Sequence, residues 1–226
     1  MYKTTIFICL IALLSCTKAS FAQKPGDKFY GGLGLVGSYS NFELVVKNTV
    51  SQLTIDTSTT ASCLLGNLFF GYGHTTLKGV YIGGEIGTCF PKKKATIHRY
   101  GVVYTGDVYT NRMSVRDIIT GDMLFGYRTS ERVLVAIRAG AVFSQISLSQ
   151  DVTPSIANSA FSDSAYRFGA RVGARLNYSL SQRLSLGVDY VYSHYGNTEF
   201  MWDTFSIEFT KKVKSNYAAL STVVSF

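Results

Sequence analysis

The last ten residues of the chain, YAALSTVVSF from Tyr217 to Phe226, limit its fold more than any other stretch. Every second residue counted back from Phe226 is uncharged, and a period of two predicts a strand with two different faces. A tilted strand of about ten residues can cross a bilayer, and chain ends usually fray unless they are tied down. We therefore interpret this segment as the strand that closes a transmembrane barrel against the first strand.

The composition agrees with such a barrel. Charged residues make up 16% of the 226 residues, aromatic residues 14%, and the chain contains 21 glycines. Few charges and many aromatic rings suit an apolar outer wall, and glycine suits a narrow interior. Beyond the N-terminus there is no apolar run of about 18 residues, which excludes spanning by helices.

The N-terminus has the parts of a secretion signal. Lys3 gives a basic start, residues 4–15 form an apolar core, and Ser20-Phe21-Ala22 is a small-x-small cleavage site. We predict a signal peptide over residues 1–22 and a mature domain over residues 23–226. The alternative is lipidation at Cys16, because Leu13-Leu14-Ser15-Cys16 resembles a lipoprotein cleavage box.

The chain is basic, with a formal net charge of +8 that becomes +6 once Lys3 and Lys18 leave with the signal. We expect no nucleic-acid partner, because an exported protein rarely meets one. Lipopolysaccharide phosphates and host polyanions are the partners that this charge favours.

Eight segments alternate between two kinds of face, and on each of them one face carries no charge. They cover residues 28–42, 64–72, 80–90, 119–127, 133–143, 166–178, 184–192 and 217–226. Aromatic rings collect at both ends of the uncharged faces, as two girdles at the membrane interfaces do. One predicted girdle contains Phe29, Tyr72, Tyr127, Tyr178 and Phe226, and the other contains Tyr39, Phe90, Phe143, Tyr166 and Tyr192.

The connections alternate between short and long. Residues 74–78, 128–132 and 179–183 form tight links, and residues 43–61, 91–115, 147–165 and 193–216 form long ones. Outer-membrane barrels place tight turns in the periplasm and long loops outside. Tyr127-Arg-Thr-Ser-Glu-Arg-Val133 and Tyr178-Ser-Leu-Ser-Gln-Arg-Leu184 share Tyr, Ser, Arg and an aliphatic residue at equal spacing, which predicts the same hairpin twice.

The signal, the KFYGGLGL strand, the GYRTSERVLVAIRAGAVFS and LNYSLSQRLSLGVDYVYSHYG hairpins and the terminal Phe226 carry a family resemblance. Together they resemble the eight-stranded outer-membrane β-barrel family of Gram-negative bacteria, which includes OmpA/OmpX-type and opacity-like surface proteins. The resemblance implies an all-β fold, an eight-stranded antiparallel up-and-down transmembrane β-barrel with both termini in the periplasm. It also implies that the cell outer membrane is the location and that the barrel-assembly machinery reads the strand ending at Phe226.

The opposite faces of the strands are small or polar, and we expect them to enclose a charge network. Registers counted from the turns place Asp122 opposite Arg138 and Asp189 opposite Gly173. The predicted network consists of Glu85, Asp122, Arg138, Arg171, Arg175 and Asp189. Because buried charges must be paired, we interpret this set as a structural plug, with a gate or selectivity filter and catalysis by the acids as alternatives.

The register counted from a turn also predicts the partners of the two cysteines of the mature chain. A pairing of Tyr72 with Val80 places Cys63 directly opposite Cys89, where a disulfide is feasible in an oxidising compartment. The alternative is a pair of unlinked small residues in a shifted register.

Sequence motifs for catalysis are weak. No HExxH, CxxC or glycine-rich phosphate loop occurs, and we expect no enzyme activity, no metal and no cofactor. His194 beside Ser193, with Asp203 in the same predicted loop, is the one candidate for acyltransferase, deacylase or protease chemistry. Adjacent residues of a strand face opposite ways, which disfavours that candidate.

Two basic clusters fall in the predicted loops. They consist of Lys92, Lys93 and Lys94, and of Lys211, Lys212 and Lys214. Each cluster is either a solvated loop that contacts neighbouring lipopolysaccharide or a recognition site for host surface molecules, since displayed loops commonly carry binding.

Taken together, these observations favour a structural protein that displays four extracellular loops for surface interaction or adhesion. Its partners would be outer-membrane lipid, lipopolysaccharide and the assembly machinery. A small porin-like channel is the alternative, although the interior of an eight-stranded barrel is just wide enough for side chains to fill. A soluble secreted β-sandwich is the third possibility, disfavoured by the uncharged, girdled faces.

Overall fold

The computed structural model describes residues 26–48, 52, 54–101, 108–153, 161–202 and 207–226. The predicted signal peptide, Cys16 and Asp203 lie outside this part of the chain. All of its regular elements are strands: β1 (Gly26–Asn48), β2 (Thr54–Thr75), β3 (Val80–Phe90), β4 (Lys93–Gly101), β5 (Val108–Arg128), β6 (Val133–Thr153), β7 (Phe161–Ser179), β8 (Leu184–Trp202) and β9 (Ile207–Ser225). The described residues include no helix with the length and hydropathy needed to cross a membrane.

The strands form one antiparallel sheet that closes on itself. Strands that follow each other in the chain pair with each other, except β3 and β4, which both pair with β5, and β9 returns to pair with β1. β3 and β4 follow each other along β5 and are separated only by Pro91 and Lys92, because proline lacks the N–H that a ladder requires. Nine strands therefore fill eight positions round the ring, which confirms the predicted fold class.

The alternation of residue types explains which side chains face inward. Along β6, Leu134, Ala136 and Arg138 are buried inside the barrel, whereas Val135 and Ile137 are exposed on the outer wall. The aromatic residues of both predicted girdles are exposed on that outer wall, apart from the half-buried Phe143, which stacks on Tyr166. The barrel therefore has an apolar band outside and a mixed polar and apolar filling inside.

The predicted repeated hairpin is present. In the β5–β6 turn, the Ser130 hydroxyl accepts hydrogen bonds from the backbone N–H groups of Arg132 and Val133. In the β7–β8 turn, the Ser181 hydroxyl accepts the equivalent bonds from Arg183 and Leu184. A serine side chain at this position closes the turn in the way that ST-turns do.

The predicted registers of the three tight hairpins are wrong. Asp122 lies opposite Gly140, not Arg138, and Asp189 lies opposite Arg175, not Gly173. In the β5–β6 and β7–β8 hairpins the turn lies one residue later in the chain than expected, because Arg128 pairs with Leu134 and Ser179 with Ser185. Tyr127 therefore pairs with Val135 and Tyr178 with Leu186. Because the shift is an even number of residues, every side chain stays on its predicted face.

The predicted pairing of Cys63 with Cys89 is also wrong. Cys89 lies opposite Asn67, and Cys63 lies opposite Ser38 of β1. Both thiols are free. β2 extends to Thr75, and the turn closes only at Gly79, whose φ of 86° favours glycine, so the two cysteines are offset along the barrel axis.

The predicted long loops are largely strand. β1 continues to Asn48, β6 to Thr153 and β8 to Trp202, and the strands that follow them begin well before the predicted positions. The wall of the barrel therefore rises beyond the girdle of Tyr39 and Tyr192. We call this part the extension. Within it a buried apolar core fills the interior, built from Phe42, Leu44, Ala95, Met113, Val115, Val142, Ile146, Leu148, Tyr195 and Val213.

The register between β2 and β3 can be tested with a cysteine pair. We expect Asn67→Cys, in a Cys63→Ala background, to form a disulfide with Cys89, because facing residues have Cβ atoms about 4.5–5.5 Å apart and a disulfide needs about 3.8 Å. Peptide mapping of the folded protein under non-reducing conditions checks this. In the unchanged chain both cysteines should react as thiols after unfolding, and a linked Cys63–Cys89 peptide would contradict the register.

Candidate functional site

Arg138 lies at the centre of the charge network in the lower half of the barrel. Its Nη1 donates a hydrogen bond to Asp189 Oδ1 at 2.8 Å and its Nη2 donates one to Glu85 Oε1 at 2.8 Å. Nη2 also contacts Asp122 Oδ2. One guanidinium on β6 therefore joins carboxylates from β3, β5 and β8.

Arg175 forms the second centre. Its Nε donates to Asp189 Oδ1 at 2.6 Å, its Nη2 donates to Asp189 Oδ2 at 3.2 Å, and its Nη1 contacts Glu85. The guanidinium lies 5.0 Å from the centroid of the Phe69 ring, a cation–π arrangement. Arg171 completes the set, with its Nη1 3.6 Å from Asp122 Oδ2.

The network combines three guanidinium groups with three carboxylates and is therefore neutral in formal charge. Five of its six residues are buried, and Arg171 is half-buried. Packing at Gly140 leaves no room for a side chain, because a Cβ there would collide with Asp122 and with the backbone of Gly121. A cavity of about 40 Å³ lies towards the turns and one of about 30 Å³ borders the network, which is space for only a few water molecules.

All six residues predicted for this network meet in the structure, although their pairings differ from the predicted ones. The direct Asp122–Arg138 pairing is replaced by a diagonal one, and Asp189 faces Arg175 directly. The long arginine side chain tolerates this shift, because direct and diagonal neighbours both lie within its reach.

A second polar cluster, which the sequence pattern did not predict, lies higher in the barrel. Lys93 Nζ is 3.3 Å from Asp117 Oδ2 and donates a hydrogen bond to Tyr195 Oη at 2.9 Å. Asp117 also accepts hydrogen bonds from Tyr195 at 2.8 Å, Tyr217 at 2.7 Å and Ser144 at 2.9 Å. We call these five residues the upper cluster. An apolar layer lies between the two polar layers and consists of Val36, Leu65, Val191, Ala219 and the ring of Tyr217, whose hydroxyl belongs to the upper cluster.

The two predicted basic clusters are therefore not loop clusters. Lys93 and Lys211 point into the barrel and are buried, and Lys211 Nζ is 2.7 Å from Asp163 Oδ2. Lys92, Lys94 and Lys214 are exposed, and Lys212 is half-buried. The prediction failed because the strands run through both segments, so alternate lysines point to opposite sides of the wall.

The exposed lysines of the first cluster belong to a basic patch on the outer wall. Lys94 lies opposite Ser114, which places Arg112 and Arg116 diagonally on either side of it. All of these basic side chains are exposed, as is Lys92. The neighbouring strand contributes the uncharged residues Gln145, Ser147 and Ser149 beside them. We call Lys92, Lys94, Arg112 and Arg116 the basic patch.

The candidate catalytic residues do not converge in the described chain. Ser193 is buried inside the barrel and His194 is exposed on the outer wall, as alternation along β8 requires. The described residues also hold no group of three or more His, Cys, Asp or Glu side chains that could bind a metal ion.

The family that the sequence matches agrees with the closed ring, its apolar outer band and its charged interior. Residues 8–212 match the family model of the outer membrane protein beta-barrel domain. The chain belongs to this family, and it is an outer-membrane protein. No curated protein matches the sequence.

Solved structures show the same fold at low sequence identity. The outer membrane protease OmpT from Escherichia coli is 7% identical with a TM-score of 0.55, over 93% of the present chain and 100% of the protease. A major outer membrane protein from Thermus thermophilus is 16% identical with a TM-score of 0.54, over 88% and 99% of the two chains. Ail, the attachment invasion locus protein of Yersinia pestis, solved with the heparin analogue sucrose octasulfate, is 13% identical with a TM-score of 0.43, over 87% and 99%. The TM-scores above 0.5 of the first two structures show a shared fold and nothing beyond it.

The burial of Lys93 next to the exposed Lys94 provides a matched pair of variants. We expect Lys93→Met to lower the free energy of unfolding by about 3–5 kcal/mol, because it leaves Asp117 buried without its cation. Lys94→Met should change it by less than about 0.5 kcal/mol. Urea unfolding of the refolded protein in lipid vesicles measures both, and equal effects would contradict an interior Lys93.

Proposed function

We propose that the protein is a structural, non-enzymatic scaffold of the outer membrane, whose lumen is closed by the charge network and whose extension presents a surface for interaction outside the cell. The observation that carries this proposal is the set of ion pairs centred on Arg138 and Arg175, which joins β3, β5, β6, β7 and β8 across the interior. Opening a path for ions would mean separating buried charges, and that costs several kcal/mol per pair.

The packing above the network supports the same proposal. An ion that passed the network would next meet the apolar layer, then the upper cluster, and then the apolar core of the extension. Each of these layers is built from side chains that contact each other across the interior. The alternative function, a small porin-like channel, requires all of them to move aside.

Single-channel conductance in a planar bilayer tests the proposal. We expect the unchanged protein to be silent. The double variant Asp122→Ala/Arg138→Ala removes one charge of each sign from the network, which leaves it neutral but partly empty, and we expect ion-conducting openings from it. A change of gel mobility on boiling shows that each sample is a folded barrel.

The matched control is Asp56→Ala/Arg116→Ala, which removes the same two charges from exposed positions and should stay silent. Steady openings of the unchanged protein would overturn the closed-lumen proposal and favour the channel.

The basic patch favours polyanions as the partner of the extension. Four cations lie together on the outer wall at and above the upper girdle, and the β6 residues directly beside them, Gln145, Ser147 and Ser149, are uncharged. Like charges grouped on one surface produce a positive potential that attracts anionic polymers. A sulfated or phosphorylated polysaccharide outside the cell matches that chemistry.

Binding to immobilised heparin, used as a sulfated probe, tests this choice of partner. We expect Lys94→Gln/Arg116→Gln to weaken binding about thirtyfold, since each of the two cations near an anionic surface contributes about 1 kcal/mol, and we expect salt to weaken binding of the unchanged protein. Lys78→Gln/Arg132→Gln, which removes two exposed cations at the turns of the other end of the barrel, serves as the control and should bind normally. Equal loss in both variants would mean that net charge, not the patch, determines binding.

A further inference from the structure

An apolar groove lies on the outer wall just below the upper girdle. One row of paired residues crosses four neighbouring strands here, in the order Leu64, Gly37, Ala218 and Tyr190. The two end residues are large and strongly exposed, and the two middle residues are small. Tyr39 and Asn216 line the upper side of this open, shallow groove.

The small residues form the floor of the groove. A Cβ on Gly37 would have its nearest neighbour, the backbone oxygen of Ala218, at 3.7 Å, so a side chain would fit there without strain. Packing inside the sheet therefore does not require the glycine. Its effect is on the outside, where it leaves a depression between Leu64 and Tyr190 that faces the acyl chains of the bilayer.

The upper edge of the groove is polar and then cationic. Tyr190 Oη donates a hydrogen bond to Asn216 Oδ1 at 2.9 Å. On the same outer face of β9, Lys214 follows two residues further up and is exposed. The residues directly opposite it are Asn41 and His194, neither of which is a carboxylate. Lys212, one step higher on this face, lies opposite Glu43, so Lys214 is the cation available to an external anion.

We infer that this groove is a binding site for one phosphorylated glycolipid of the outer leaflet, of the lipid A type. An upper segment of an acyl chain would lie on Gly37 and Ala218, and a phosphate group would reach Lys214, about 13 Å up the strand at about 3.3 Å per residue. The hydroxyl of Tyr39 and the amide of Asn216 lie between these two positions, at the height of the sugar. An acyl groove topped by a cation matches a lipid that carries both groups.

Two variants separate the apolar and the ionic parts of the site. Ala218→Phe fills the floor, and Lys214→Glu reverses the charge above it. Both side chains point outward from the barrel, so neither change touches the interior. The matched controls lie away from the groove, where Ala141→Phe on β6 and Arg132→Glu in the β5–β6 turn make the same changes at exposed positions.

Native mass spectrometry with purified diphosphorylated, hexa-acylated lipid A as the probe measures the site in the folded full-length mature protein. We expect a one-to-one complex with the unchanged barrel. Ala218→Phe should weaken it about tenfold, the equivalent of about two buried methylenes, and Lys214→Glu about fivefold or more. The two controls should bind the lipid like the unchanged protein. A dephosphorylated probe should bind the unchanged protein no better than it binds Lys214→Glu.

Three results would overturn the inference. Equal weakening by the controls would mean that lipid coats the barrel without a site. Equal binding of the dephosphorylated probe would mean that only the acyl chain is held. A mass of two protein chains that Ala218→Phe dissociates would mean that the groove is covered by a second copy of the barrel.

Discussion

Three arginines and three carboxylates share the narrow interior of the barrel, and the rest of the fold is arranged so that they can meet. Arg138 and Arg175 each bind acids from other strands, so the network links five of the eight wall positions across the lumen. Such groups are tolerated inside a protein only when each charge has a partner. The glycine at position 140 leaves the room that the Asp122 carboxylate occupies.

The same principle is repeated one layer higher with different residues. In the upper cluster, Lys93 and Asp117 form one buried ion pair, and two tyrosines and a serine supply the remaining hydrogen bonds of the carboxylate. Lys93 is the first residue of β4, directly after the interruption at Pro91. The ion pair therefore holds the upper half of a divided wall position against β5, at the point where backbone pairing is interrupted.

The interior and the exterior of the barrel thus have different roles. The interior is filled by alternating polar and apolar layers, which favours a scaffold over a pore. The exterior offers two separate cationic surfaces, the basic patch on β4 and β5 and Lys214 above the groove on β9. They lie on opposite sides of the ring, so a polymer outside the cell and a lipid of the outer leaflet could be bound without competition.

The sequence by itself determined the ring, the girdles and the identity of the charge network, because a period of two assigns each side chain to a face without knowledge of the register. It did not determine which residues pair across neighbouring strands. A register shift of an even number of residues changes the partners and keeps each side chain on the same face of the wall, as for Asp189 and Arg175. Lys93, Tyr195 and Tyr217 follow the inward parity of their strands and could have been found by extending the period into the predicted loops. Asp117 could not, because a bulge between Asp117 and Ile119 changes the parity of β5, and only the closed three-dimensional ladder reveals where that extra residue lies.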